Sequence, residues 1–160
     1  MTDIITSENL LIGAAITNPQ TARRLLEELK PEDFTVEANR EIFEAMQRID
    51  NRGEDVDPAK AANESGVVRS YFYELMEIVP SENADLEPHI AEVRKAALRR
   101  GIREVLSAAD ADIIANADPS EVIDGMTQQL AKLAEHAEGE LISGENAALE
   151  FWDRLDGGAV

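Results

Sequence analysis

Gly139 and Gly144 stand at the spacing by which glycines bring backbone N–H groups onto phosphates, ahead of the Lys and the Ser or Thr that complete a nucleotide loop. Glu145 and Asn146 occupy those last two positions, and a carboxylate there repels phosphate, so the match is chance. The two histidines, His89 and His136, lie far apart and form no ligand spacing. Close carboxylates such as Glu27 and Glu28, or Asp110 and Asp112, point in different directions on a helix and make poor chelates. They read as solvated faces. With no cysteine there is no thiolate nucleophile, disulfide framework or Cys-based metal site, which fits a reducing compartment. No Ser/His/Asp set stands out. These 160 residues offer no catalytic, cofactor or metal site.

Recognition chemistry is better represented. Arg94, Lys95, Arg99, Arg100 and Arg103 crowd one short stretch with no acid among them, and Lys95, Arg99 and Arg103 recur at four-residue steps along one helical face. Two readings are open: a solvated stripe paired with Glu92 and Glu104, or a basic strip that meets the acidic surface of another copy or a partner. The chain as a whole carries 33 acidic against 15 basic residues, a net charge of -18, which argues against gripping nucleic acid by phosphate neutralisation.

The elements that position this strip are two helical runs from about Pro88 to Glu138, broken at Ala117, Asp118 and Pro119. Ile90, Val93, Ala97, Leu98, Gly101, Ile102, Val105, Leu106, Ala109 and Ile113 make an apolar stripe at three- and four-residue spacing. Asp118 as cap, Pro119 in the first turn and Glu121 start the second run. Val122, Ile123, Met126, Leu130, Leu133, Ala134 and Ala137 repeat the spacing, so the runs are expected to close as an antiparallel hairpin. Gly101 inside the first run implies a close helix contact or a slight bend. Such a hairpin is marginal alone and wants another surface, its own head or a second copy.

Ahead of it the spacing predicts an all-helical head. Leu10 to Ile16, apolar all round, fits a short buried helix approached closely at Gly13; the run by itself fits a strand equally well, and the helical context decides. Seven residues long and following Asp3 and Glu8, the run is expected to be neither a signal peptide nor a membrane span. Asn18 and Pro19 start a helix with Ala22, Leu25, Leu26 and Leu29 inside, stopped by Pro31. A third helix from about Glu37 to Asn51 gathers Ala38, Ile42, Phe43, Met46 and Ile49 before Gly53. Asp57 and Pro58 open a short helix ending near Gly66. Ser70 is expected to cap another through Tyr71, Phe72, Tyr73, Leu75, Met76, Ile78 and Val79, up to Pro80. Five of the seven aromatic residues lie in this half, Phe34, Phe43, Tyr71, Phe72 and Tyr73, giving the head its own core.

The expected fold is therefore all-α, with a helical head (1–87), the hairpin (88–138) and a connector with the start of a linker helix (139–160). The polar segment Ser81 to Glu87 marks the first boundary. Glu138 to Gly144 suggests a flexible connector. Beyond it Ala148, Phe151, Trp152 and Leu155 share one helical face, which either docks on something else or folds back on the hairpin.

The order of features resembles the N-terminal domain of bacterial and phage replicative DNA helicases of the DnaB type. The residues that carry the resemblance are Glu8, Leu11 to Ile16 with Asn18-Pro19, Pro31 to Phe34, Arg40 to Met46, Gly53 to Asp57, Tyr73 to Leu75 with Pro80 and Asn83, then Val93 and Arg99-Arg100. They cover about residues 7 to 137. Two departures stand out: Asn39 where the family usually has His, and a shorter stretch between Pro58 and Tyr71.

The resemblance implies a collar domain without catalysis of its own, whose parent is an ATP-dependent helicase. ATP and magnesium would belong to the parent's motor domain, absent here. It implies a homo-oligomer, a dimer or a hexamer built as a trimer of dimers, docking of primase and in some systems a loader, DNA contacted through the parent ring only, no membrane, and a cytoplasmic location. The expected self-association and partner residues are Lys95, Arg99, Ile102, Arg103, Leu106, Ile113, Met126, Leu130, Leu133, Phe151, Trp152 and Leu155. Ser143 to Leu155 resembles the helix that links collar to motor, while Phe151 to Gly158 also echoes the start of the motor. A free-standing helical module that binds a helicase or primase is the alternative.

Overall fold

A computed structural model describes residues 3–78, 80 and 84–137 of the chain. Among these residues the structure is all-α: α1 (Ile4–Thr17), α2 (Pro19–Glu28), a 3-10 turn (Pro31–Asp33), α3 (Glu37–Asn51), α4 (Pro58–Ser65), α5 (Arg69–Glu77), α6 (Glu87–Ile114) and α7 (Pro119–His136). They divide into two compact units, the first ending at Ala97 and the second beginning at Leu98. The expected connector, the linker residues Phe151, Trp152 and Leu155, and residues 81–83 of the expected boundary lie outside the described residues.

Local chemistry explains the starts and stops. Asn18 Oδ1 accepts from the N–H of Gln20 and Thr21, and Asp57 Oδ1 from that of Lys60, each just ahead of a first-turn proline. Gly53 and Gly66 end α3 and α4 in the left-handed conformation, with φ of +76° and +71°. Two expectations are corrected here. α1 begins at Ile4 behind the Asp3 cap rather than near Leu10, because Ser7 and Glu8 are buried polar residues that break the apolar pattern without breaking the helix. Ser70 is no cap: α5 starts at Arg69 behind Val68, with no side-chain capping bond.

The first unit has one core. Leu11, Ile12 and Ile16 of α1 pack with Leu25 of α2, with Ile42, Phe43, Met46 and Ile49 of α3, and with Phe72 and Leu75 of α5. The Phe34 and Phe43 rings lie 5.0 Å apart, tilted by 40°. Gly13 lets α1 approach α5 closely: a Cβ there would stand 2.6 Å from the Leu75 carbonyl oxygen. Ile90 and Val93, from the first turns of α6, also belong to this core and not to the hairpin stripe. Arg94 anchors the same stretch, donating from Nε and Nη2 to the Glu28 carbonyl at 3.2 and 2.8 Å. Tyr73 is exposed, so not every clustered aromatic enters the core.

In the second unit the chain reverses at residues 115–118. Asn116 adopts a left-handed φ of 62°, Ala117 N–H donates to the Asp112 carbonyl and Asn116 N–H to that of Ile113, which closes the end of α6. Asp118 then caps α7. Val105, Ala109, Val122 and Ala137 are buried, while Gly101 meets Leu133 so closely that a Cβ would lie 2.5 Å from Leu133 Cδ2.

Candidate interaction surfaces

Among the described residues no three His, Cys, Asp or Glu side chains gather as a metal site. His89 is held within the head, its Nδ1 3.1 Å from Ser7 Oγ. The most concentrated buried polar chemistry joins α1, α3 and α5. Asn39 Nδ2 donates to Asn9 Oδ1 at 2.8 Å, and the Tyr71 hydroxyl donates to Asn39 Oδ1 at 2.6 Å. Glu8 accepts from the Thr35 backbone N–H. Burial, and then the charges of Glu8 and Glu74, push the Tyr71 phenol up. This network is a fastening. Asn39 is completely buried, and its position three residues before Ile42 and four before Phe43 is the signal that could have placed it on the inner face.

The hairpin's apolar residues do not all close the hairpin. Ile102, Leu106, Ile113, Ile123 and Leu130 are exposed, Leu106 by 55% and Ile113 by 64%; Met126 and Leu133 are half-buried. This corrects the expectation of one inward stripe. At about 100° per residue, Gly101, Val105 and Ala109 lie on one flank of α6, whereas Ile102, Ile113, Leu106, Arg99 and Arg103 follow one another around the next. The second flank is uncovered. Lys95, Arg99 and Arg103 are exposed and make no salt bridge among the described residues, so pairing with Glu92 and Glu104 does not occur there. An apolar row bordered by unpaired cations has the composition of a protein-binding surface.

A second surface lies in the head, and sequence reasoning missed it. Pro58, Ala59 and Ala62 of α4 face Phe72, Tyr73 and Met76 of α5 across a groove of about 250 Å³, with Arg69 as its charged residue. Tyr73 and Met76 are exposed by 65% and 41%. No helix of the described residues is long and apolar enough to cross a membrane.

Comparisons with known proteins agree with this architecture. Residues 2–95 match the family described as DnaB-like helicase N terminal domain. The replicative DNA helicase DnaB of Geobacillus stearothermophilus is 36% identical over 115 residues, an alignment covering 66% of this chain and 25% of the relative. The chain therefore spans about a quarter of that relative's length. The crystal structure of the N-terminal domain of DnaB helicase from Mycobacterium tuberculosis superposes with a TM-score of 0.71 at 23% identity, covering 80% of this chain and 96% of the other. A structure of a DnaB-like replicative helicase and its interactions with primase gives a TM-score of 0.64 at 18% identity, covering 96% of this chain and 36% of the other.

Proposed function

The chain belongs to the DnaB-like helicase N-terminal domain family, and from that membership we propose that it works as the collar of a replicative helicase, joining copies of itself and offering a docking surface to primase or a loader. The observation that carries the reading is the exposed flank of α6, where Ile102, Leu106 and Ile113 lie beside Arg99 and Arg103, which make no salt bridge among the described residues. Copies pair through this flank as dimers, the unit from which a hexamer is built as a trimer of dimers. Burying the apolar row supplies affinity, and the cations meeting the acidic surface of the other copy, net -18, supply orientation and encounter rate. The same acidic character keeps the collar from gripping DNA phosphates, so strands pass without adhering. Primase is the partner class in the structure of a related helicase.

Glu145 and Asn146 after Gly144 do not fit ATP and magnesium, which enter the proposal only through the part of a helicase that this chain does not span. Its place of work is the cytoplasm. The test is sedimentation velocity on the chain and on its Arg99→Glu/Arg103→Glu variant. Association that is weaker in the variant than in the parent chain, at unchanged helicity, supports the reading; identical mass distributions overturn it.

A further inference from the structure

The head groove and the far end of the hairpin have complementary chemistry. The groove's walls are apolar, and Arg69, its charged residue, is exposed and makes no salt bridge among the described residues. Other head arginines are committed: Arg23 to Asp55, Arg24 to Glu28 and Glu87, Arg48 and Arg52 to Glu64. At the hairpin end the arrangement is inverted. Ile114 and Ile123 are exposed by 79% and 63%, and the first turns of α7 also carry the exposed Glu121 and Asp124.

We infer that the α4–α5 groove receives the hairpin end of a second copy, with Ile114 and Ile123 against Phe72, Tyr73 and Met76 and a carboxylate of α7 on Arg69. A cavity of about 250 Å³ has room for a few aliphatic side chains. Both halves of the match, apolar and ionic, are supplied by one sequence, which favours a second copy over a foreign partner. The contact joins two different surfaces, so it is heterologous: each copy keeps a free groove or a free hairpin end, and the contact repeats until the assembly closes. Pairing through the α6 flank has no such property, because a self-complementary patch is used up at two copies. The two contacts are independent, and the inference stands without the flank. An interface of this size is weak singly and gains strength when several close a ring.

The experiment uses the 160-residue chain carrying Arg99→Glu/Arg103→Glu, which silences the flank, and follows its mass by sedimentation equilibrium over a wide concentration range. The expected result is concentration-dependent association that weakens at least tenfold with Met76→Glu, with Arg69→Glu or with Ile123→Asp. Each of these positions is exposed, so circular dichroism should show unchanged helicity. Mixing the Met76→Glu chain with the Ile123→Asp chain should restore pairing, since one contributes an intact hairpin end and the other an intact groove. Three results overturn the inference: a background chain that stays monomeric at every concentration, association indifferent to these substitutions, or a Met76→Cys/Ile123→Cys disulfide that forms within a single chain. Failure here leaves the flank reading untouched, because that reading is judged on the unmutated chain against Arg99→Glu/Arg103→Glu.

Discussion

Gly101 of α6 lies directly under Leu133 of α7, where an added Cβ would meet Cδ2 at 2.5 Å and Cδ1 at 3.1 Å. Replacing Gly101 by Ala should contribute about 1 kcal/mol of helix propensity but push on Leu133, leaving a net change near zero. In a Leu133→Ala background the obstruction is gone, and the same substitution should stabilise by the full amount. Urea unfolding of the four chains of this cycle measures the coupling. Additive effects would show that Leu133 does not occupy the space above Gly101.

Gly13 presents the opposite case. The atom an added Cβ would meet is a backbone one, the Leu75 carbonyl oxygen at 2.6 Å, and a carbonyl in α5 cannot rotate aside as a leucine methyl can. Gly13→Ala should therefore destabilise by about 1–3 kcal/mol despite its better helix propensity. A thermal melt that moves upward would disprove the close crossing of α1 and α5.

Tyr71→Phe removes the hydroxyl that donates to Asn39 Oδ1, leaving a buried amide oxygen short of a partner, and should cost about 1–2 kcal/mol at neutral pH. The phenol also carries a pH signature. Its folded value is raised above the ordinary 10.0, so its contribution is fully present below about pH 10 and is lost as pH rises through the folded value. Urea midpoints measured from pH 8 to 12 should fall more steeply in the parent chain than in Tyr71→Phe.

Leu106→Asp tests the flank without touching the fold. With 55% of the residue exposed, the substitution should leave the melting curve, taken at a concentration where both chains are monomeric, within about 0.5 kcal/mol of the parent while weakening self-association measured by sedimentation. Raising the salt concentration should weaken the parent's association too, because exposed charges such as Arg99 and Arg103 are screened beyond about 8 Å at physiological ionic strength.

Three helix starts and two helix ends were legible in the chain alone, while the start of α1 and the absence of a cap on α5 were not. Asn18-Pro19, Asp57-Pro58 and Asp118-Pro119 start helices wherever they occur, and Gly53 and Gly66 end them, because caps, fixed proline φ and left-handed glycine act within a single turn. Inner residues of α2 and α3 were legible for the same reason: a 3.6-residue period fixes which side chains share a face.

What covers each face depends on contacts between distant segments. The apolar arc of α6 is wider than one neighbour can bury, so Ile90 and Val93 went to the head core, Val105 and Ala109 inward, and Leu106 and Ile113 to the surface. Asn39 is a polar residue on an apolar face, and its burial depends on Asn9 and Tyr71, which lie far away in the chain. The α4–α5 groove likewise exists only where two helices leave a space between them. A periodic pattern assigns residues to the sides of a helix, while burial is settled by which distant segments arrive there.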